Sequence, residues 1–531
     1  MERSVSFDPR CTINGPLRSK ARSFLGNDTL AFIEQSLFTS KEREKKTCRN
    51  TAIICTIGPA SHHTQTLERL IAAGMNIARL NMAHSTHEQL VTLIKNIRAA
   101  TQGYTLRTGS NVSVAIAMET QGSQKRTGKL ENSMDEVALK KGATVTLTTN
   151  PKYKDKCNAD IIYINGKKSV LEKSEIILDD QIHLIVESIN NEDMKCTVVN
   201  SGHLGSWKKV CFPGELEDDN SSSVEIEEKK NLEFAVEQDI DIIILSHVMN
   251  AGNIFEARKC IEETGKQISL VAKLRTMSAM RNMKEIMQEV DGIMVAREEL
   301  GIIFKVEKVF VALKNIITYC VRIGKPVICA SVMLRSMVRC PRASQAESSD
   351  IANVVLDGVD CVVLSGETAI GNYPLESLRT MVKICNEAED LVKNRLLPMD
   401  PVLSILDPMN TLALTAIDTA LKCSAAAIMV ITLSGRTAHM IARYRPDCLL
   451  IMVTRQVSTA NQSHLYRRIH PILCDIQSQE DVRKDIDAQV QFGILQSKKK
   501  RLLDPGNQIV IIIGRQMDKS LMHTVRIEDV V

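Results

Sequence analysis

The chain has 531 residues, 44% hydrophobic and 24% charged, enough for roughly two to four domains with apolar cores and incompatible with a wholly disordered protein. Its 67 basic and 63 acidic side chains leave a net charge of +4, and only 3% of residues are aromatic, so neither a basic nucleic-acid stripe nor a base-stacking platform is indicated. Fifteen scattered cysteines form no CxxC pair, which argues against a zinc site or a disulfide framework, and no apolar run reaches the roughly 18 residues of a membrane span. The expected partner is a small molecule, with no nucleic acid and no membrane. The expected address is cytoplasmic, because the opening MERSVSFDPR has no apolar secretory core and its acidic residues argue against a transit peptide.

Residues 1–48 are polar, carry the charge run KEREKK, and read as an N-terminal arm with one short helix around 29–38. Apolar, β-branched runs then recur at TAIICTI (51–57), NIARLNM (76–82), VSVAIAME (112–119), DIIILS (241–246), SLVAKLR (269–275), GIMVA (292–296), PVICAS (326–331) and CVVLSG (361–366). Helix-period segments such as TLERLIAAGM and SSDIANVVLDG separate most of them. Eight buried strands alternating with helices predict a closed (β/α)8 TIM barrel over 49–122 and 224–392. The gap between the third and fourth runs holds short alternating strands at ATVTLTT, SEIILDDQIHLIVESI and KCTVVNSG, and predicts an inserted small β-domain over 123–223, which the resemblance given below implies is a lid. A helix over 410–425, strands at AAAIMVIT, CLLIMVT and NQIVIIIG, and a helix after SGRT predict a C-terminal open α/β domain over 393–531.

Active sites of such barrels lie at the C-terminal ends of the strands. The polar residues there are Arg79 and Asn81 on the second strand, Glu119 and Thr120 on the third, Lys273 and Arg275 on the fifth, Glu298 and Glu299 after the sixth, Ser331 on the seventh, and Glu367 and Thr368 after the eighth. Salt bridging alone would not call for hydroxyls and an amide as well. Guanidinium and ammonium groups stabilise phosphoryl oxygens, and carboxylates hold a bridging divalent cation, so the set suits phosphoryl transfer.

TAIICTIGPAS, GMNIARLNMAH, DGIMVAREELG, GKPVICAS, DGVDCVVLSGETAIGNYPLES and TLSGRTAHMIARYRP together resemble the pyruvate kinase family, in family order from residue 49 onward. The resemblance implies transfer of the phosphoryl group of phosphoenolpyruvate to ADP, giving pyruvate and ATP, with Mg2+ and K+ as cofactors. It also implies a homotetramer; the alternative expected assembly is a mixed oligomer with a related subunit. By motif, Lys273 matches the lysine that stabilises the transferring phosphoryl group, Arg79 the arginine that clamps phosphate, and Ser331 a threonine beside the protonated carbon. Glu298 and Glu299 fall in the substrate-binding segment. Pro59, Asn81, His84, Arg126 and Lys208 fall in or beside the segments that approach nucleotide.

The chain departs from the family pattern where the cations bind. The K+ set of Asn, Ser, Asp and Thr reads Asn81, Ala83, Glu119 and Thr120, one oxygen ligand short. Arg275 stands where the family has the glutamate that ligates Mg2+, Glu298 where it has a glycine, and Glu299 where it has the second metal-binding aspartate. Guanidinium has five donors and no acceptor, so it cannot ligate a cation. Arg275 is therefore expected to occupy the metal's place in an ion pair with an acidic neighbour. In the C-terminal domain Thr432, Ser434, Gly435, Arg436 and Thr437 form a hydroxyl-rich turn before a helix, a candidate phosphate effector site or simply a helix cap. The family's sugar-bisphosphate pocket is otherwise altered, with Val482 for a tryptophan and Gln489 for an arginine. Two readings follow: a pyruvate kinase with weakened metal sites, or a catalytically inactive paralogue serving as a structural or regulatory subunit.

Overall fold

The eight apolar runs pair side by side, all parallel, and close on themselves: in a computed structural model Ala52–Thr56, Ile77–Asn81, Ala115–Glu119, Ile242–Leu245, Ser269–Leu274, Gly292–Ala296, Val327–Ala330 and Cys361–Leu364 form one barrel. The structure describes residues 48–531 except 123–124, 132–134, 166–170, 180, 191–192, 213–225, 393–407 and 518–519. But for Cys48, the arm expected over 1–48 and its helix lie outside the described residues, and the expected domain joins at 223–224 and 392–393 touch residues outside them too.

Side chains alternate across a strand, so each barrel strand sends every second residue inward. Ala52 and Ile54, Ile77, Ala115 and Ala117, Ile242 and Ile244, Val271, Met294, Ile328 and Val363 fill the interior as one apolar cluster. Their neighbours, Ile53 and Cys55 for example, face the surrounding helices in a second, larger cluster. Leu465, with Tyr466 against it, packs into the interior cluster from the C-terminal domain and closes the lower end. The upper end is left to the polar residues that finish each strand.

The inserted segment forms a six-stranded sheet beside a two-stranded one, around a core that includes Val145, Leu147, Ile176, Leu184 and Cys196. The expected strands appear as Thr144–Thr148, Glu175–Leu178, Ile182–Ile189 and Asp193–Val198. The C-terminal domain is a five-stranded sheet, parallel except for the antiparallel pair Gln508–Met517 and Ser520–Asp529. Two of its strands escape the sequence patterning. Ile469–Leu473 contains Pro471, which has no amide hydrogen and is tolerated because this is an edge strand, and Ser520–Asp529 is the opposite edge.

Candidate active site

Strand alternation carries the inward face of the barrel upward into a polar layer. Thr56 is two residues above Ile54, Arg79 two above Ile77, Glu119 two above Ala117, Ser246 two above Ile244, and Lys273 two above Val271. All five are buried. Glu119 is the hub. Arg79 Nε donates to its Oε2 at 2.7 Å and Lys273 Nζ to its Oε1 at 3.1 Å, while Arg79 Nη1 donates to Thr56 Oγ1 at 2.7 Å. The Ser246 hydroxyl lies 3.3 Å from Glu119 Oε1 and donates to the Thr120 carbonyl at 2.6 Å. Burial by itself would raise the Glu119 carboxyl, but the charges and hydrogen bonds of Arg79 and Lys273 outweigh it and hold it down at about 2.

A second carboxylate sits one step higher. Glu299, near the start of the short helix Arg297–Ile303, takes a hydrogen bond from Lys273 Nζ at 3.1 Å and lies 3.5 Å from Lys209 Nζ and 3.6 Å from Arg275 Nη1. Burial again opposes ionisation, and the three cations overcome it, holding Glu299 well below the usual carboxylate range. Arg275 continues the face of Lys273 two residues beyond it. Its side chain is only 9% exposed and its Nη2 lies 3.3 Å from His247 Nδ1. Arg275 Nε and Glu299 Oε2 are both buried without a hydrogen-bond partner.

The remaining expected residues divide into those near this layer and those turned away from it. His84 is solvent-exposed, yet its pKa is lowered, first by desolvation from the groups around it and then by the charges of Arg126, Arg79 and Lys208. Arg126 donates through Nη1 to the Trp207 carbonyl at 2.9 Å, and its pKa is lowered by burial and next by the charge of Arg275. Asn81 Oδ1 accepts the Ala83 amide at 3.1 Å, capping the turn Met82–His84, and Thr120 Oγ1 accepts the Ser246 amide at 3.2 Å. Ser331 ends the seventh strand at φ +72°, followed by Val332 at +53°, and Arg297 donates to both of their carbonyls while its Nη1 holds Asp350 at 2.6 Å. Glu298 turns to Arg335 at 3.2 Å. Lys208 pairs with Asp179 of the lid at 2.9 Å, and it is the next residue, Lys209, that reaches Glu299. Pro59 lies in an exposed turn whose carbonyl contacts His62. Thr432–Thr437 lies in the C-terminal domain, in the turn between the strand Ala427–Ile431 and the helix Arg436–Arg443, and there Thr432 Oγ1 accepts the Gly435 amide at 3.2 Å, closing the turn on itself. Nearby, Gln489 donates to Asp485, which is held by both Arg455 nitrogens at 2.8 Å.

Sequence reading missed Thr56, Lys209, Ser246 and His247. Thr56 and Ser246 carry a signal, since they extend the inward alternation of apolar strands. His247 directly follows such a strand. Lys209 has none, because it comes from the lid across a long loop of sequence. Among the described residues no cluster of three or more His, Cys, Asp or Glu side chains forms a ready metal cage, and no helix is long and apolar enough to cross a membrane.

Comparison with known proteins agrees with this architecture. A family model described as the pyruvate kinase barrel domain matches residues 48–378, and one described as the pyruvate kinase alpha/beta domain matches 410–527. The chain is 38% identical to the human protein named pyruvate kinase PKLR over 506 residues, covering 93% of this chain and 88% of that protein. It is 36% identical to a pyruvate kinase of Schizosaccharomyces pombe over 475 residues, covering 88% and 92% of the two chains. To a pyruvate kinase of Leishmania mexicana it is 35% identical over 492 residues, covering 90% and 95%.

Proposed function

The chain belongs to the pyruvate kinase family, and from that premise we propose that its barrel mouth binds phosphoenolpyruvate and ADP but transfers the phosphoryl group poorly, because an internal ion pair stands where the family holds its divalent cation. Arg79 and Lys273 are the phosphoryl-binding pair. Both project from strand ends into one buried layer and are oriented by Glu119. His84, Arg126 and the lid lysines lie on the side assigned to the nucleotide, and Ser331 supplies a hydroxyl beside the carbon to be protonated.

The observation that carries the reading is the set of cations around Glu299. A carboxylate shared by Lys273, Lys209 and Arg275 is already neutralised, and a guanidinium offers a cation no lone pair, so these side chains do not fit a Mg2+ held as the family holds it. The K+ donors fit no better. Ala83 brings no oxygen, Asn81 caps a turn, and both Glu119 oxygens are engaged by cations. At an effective dielectric of about 20, a charge pair near 4 Å is worth roughly 4 kcal/mol before desolvation, enough to compete with a weakly attracted ion. Removal of a preorganised charge stabiliser typically costs about 10²–10³ in rate.

The second reading, a non-catalytic subunit, is favoured by the same pair and by an apolar face on the helix Val306–Ile323. Val306 and Phe310, four residues apart and therefore on one side, are 81% and 59% exposed, as suits burial against a second copy or a related subunit. Sedimentation of the native chain checks the assembly. The catalytic reading is checked by pyruvate formation from phosphoenolpyruvate and ADP across a Mg2+ titration, beside an Arg275→Glu, Glu298→Gly double variant. The expected result is slow native turnover and a gain of at least tenfold, Mg2+ dependent, in the double variant. Native turnover that is fast and saturates with Mg2+ overturns the account.

A further inference from the structure

Cationic groups outnumber carboxylates at the barrel mouth. Arg79, Lys273, Lys209 and Arg275 converge on Glu119 and Glu299, and Arg126 stands close enough to feel the charges of Arg275, Glu299 and Asp179, the last of which pairs with Lys208. Glu119 is consumed by Arg79 and Lys273, and Glu299 is divided between three partners. His84 lies in the same field: after burial, the charges that lower its pKa are those of Arg126, Arg79 and Lys208, opposed by that of Glu119.

Arg275 is the group least well served. Its side chain is more than nine-tenths buried, its Nε has no hydrogen-bond partner, and its contact with Glu299 at 3.6 Å is beyond hydrogen-bonding distance. It stands near enough to Arg126 for its charge to lower that residue's pKa. Each guanidinium carries a planar fork of donors that fits two oxygens of one phosphoryl group. Burying the Arg275 Nε donor unsatisfied is costly unless a ligand completes it.

We propose that Arg275, with Arg126 and Lys273, binds the phosphoryl group of a small phosphorylated anion directly, so that ligand binding at this site needs no divalent cation. This rests on the reading that the barrel mouth takes phosphorylated substrates, but not on turnover. The ion pair with Glu299 and the contact with His247 hold the guanidinium in place before ligand arrives. Glu299 then acts as a positioning residue rather than a metal ligand.

Isothermal titration of the native full chain in excess EDTA tests this, with phosphoenolpyruvate in one arm and ADP in the other to separate the two sources of a phosphoryl group. Binding of at least one ligand is expected in EDTA, with a Kd that excess Mg2+ changes by less than threefold. Arg275→Gln should weaken that binding at least tenfold, and Arg275→Glu should make it Mg2+ dependent. Failure of both ligands to bind without Mg2+ overturns the proposal on the native chain alone, whatever the variants do. Unchanged affinity in a folded Arg275→Gln protein overturns it as well. Metal-free binding with no pyruvate formation would remove the slow turnover of the proposed function and leave this inference standing, while binding that requires Mg2+ would overturn this inference whether or not pyruvate forms.

Discussion

Lys273 and Arg275 are two positions apart on an extended segment, so both heads project to the same side, and a strand end that needs one ammonium receives two positive charges. The fold tolerates them because Glu299 lies between the two, close to both. Below, Glu119 does the same for Lys273 and Arg79. A pair of this kind has a pH signature. The Glu119 carboxyl is held at about 2 in the folded chain against an ordinary value of 4.5, so its stabilising contribution is complete above pH 4.5 and is lost as pH falls toward 2. The expected result is a urea midpoint whose acid-side decline between pH 4.5 and 2 is reduced in Glu119→Gln, with the variant less stable than the native chain at neutral pH. An acid limb of the same size in both proteins would show that the carboxylate is not the group responsible. The presence of Arg79, Glu119, Lys273 and Glu299 at one rim is legible in the sequence, since each closes or follows an apolar run. That Lys209 joins them is not, because nothing local to the lid segment says which of its lysines will face the barrel.

At the scale of elements, apolar runs are sufficient to find every barrel strand, because both faces of each are buried and leave near-continuous stretches such as IIIL at Ile242–Leu245. They fail at the edges of the C-terminal sheet. Ile469–Leu473 carries a histidine and a proline, which no pattern for a buried strand admits, and Ser520–Asp529 needs only one apolar side. The seventh barrel strand ends in another feature invisible to patterning. Ser331 and Val332 are both left-handed, a conformation that costs a residue with a Cβ about 1–2 kcal/mol, and more trouble is expected for a β-branched one. Arg297 holds the bend by donating to both carbonyls. Replacing the exposed Val332 by glycine removes the side-chain clash without touching those carbonyls, and should raise the stability by about 1 kcal/mol in urea unfolding, less the extra entropy of an unfolded glycine. A Val332→Gly protein destabilised by more than about 1 kcal/mol, the most that the entropy of an unfolded glycine accounts for, would mean that the bend is held by the valine side chain and not by Arg297.

Across the whole molecule, the barrel is sealed below and charged above. Leu465 and Tyr466 close the lower end, and Arg467 beside them donates to the Val355 carbonyl at 2.9 Å and the Val359 carbonyl at 3.1 Å, tying the C-terminal domain to the barrel. Buried His464 in the same segment bonds to Ser113 and is pushed down to about 4 by its burial. The residues of this junction all lie at the lower end, away from the charged layer at the strand ends. If the proposed exchange of a ligand set for an ion pair is right, that separation accounts for it: the apolar interior fixes the strands, and the strand ends are then free to vary. The measurement that tests this most directly is Mn2+ binding followed by electron paramagnetic resonance, with the native chain beside the Arg275→Glu, Glu298→Gly variant and without substrates. The account predicts no stoichiometric Mn2+ site in the native protein and one in the variant. A native site as tight as the variant's would contradict it, and would return Arg275 to the role of a bystander at a working metal centre.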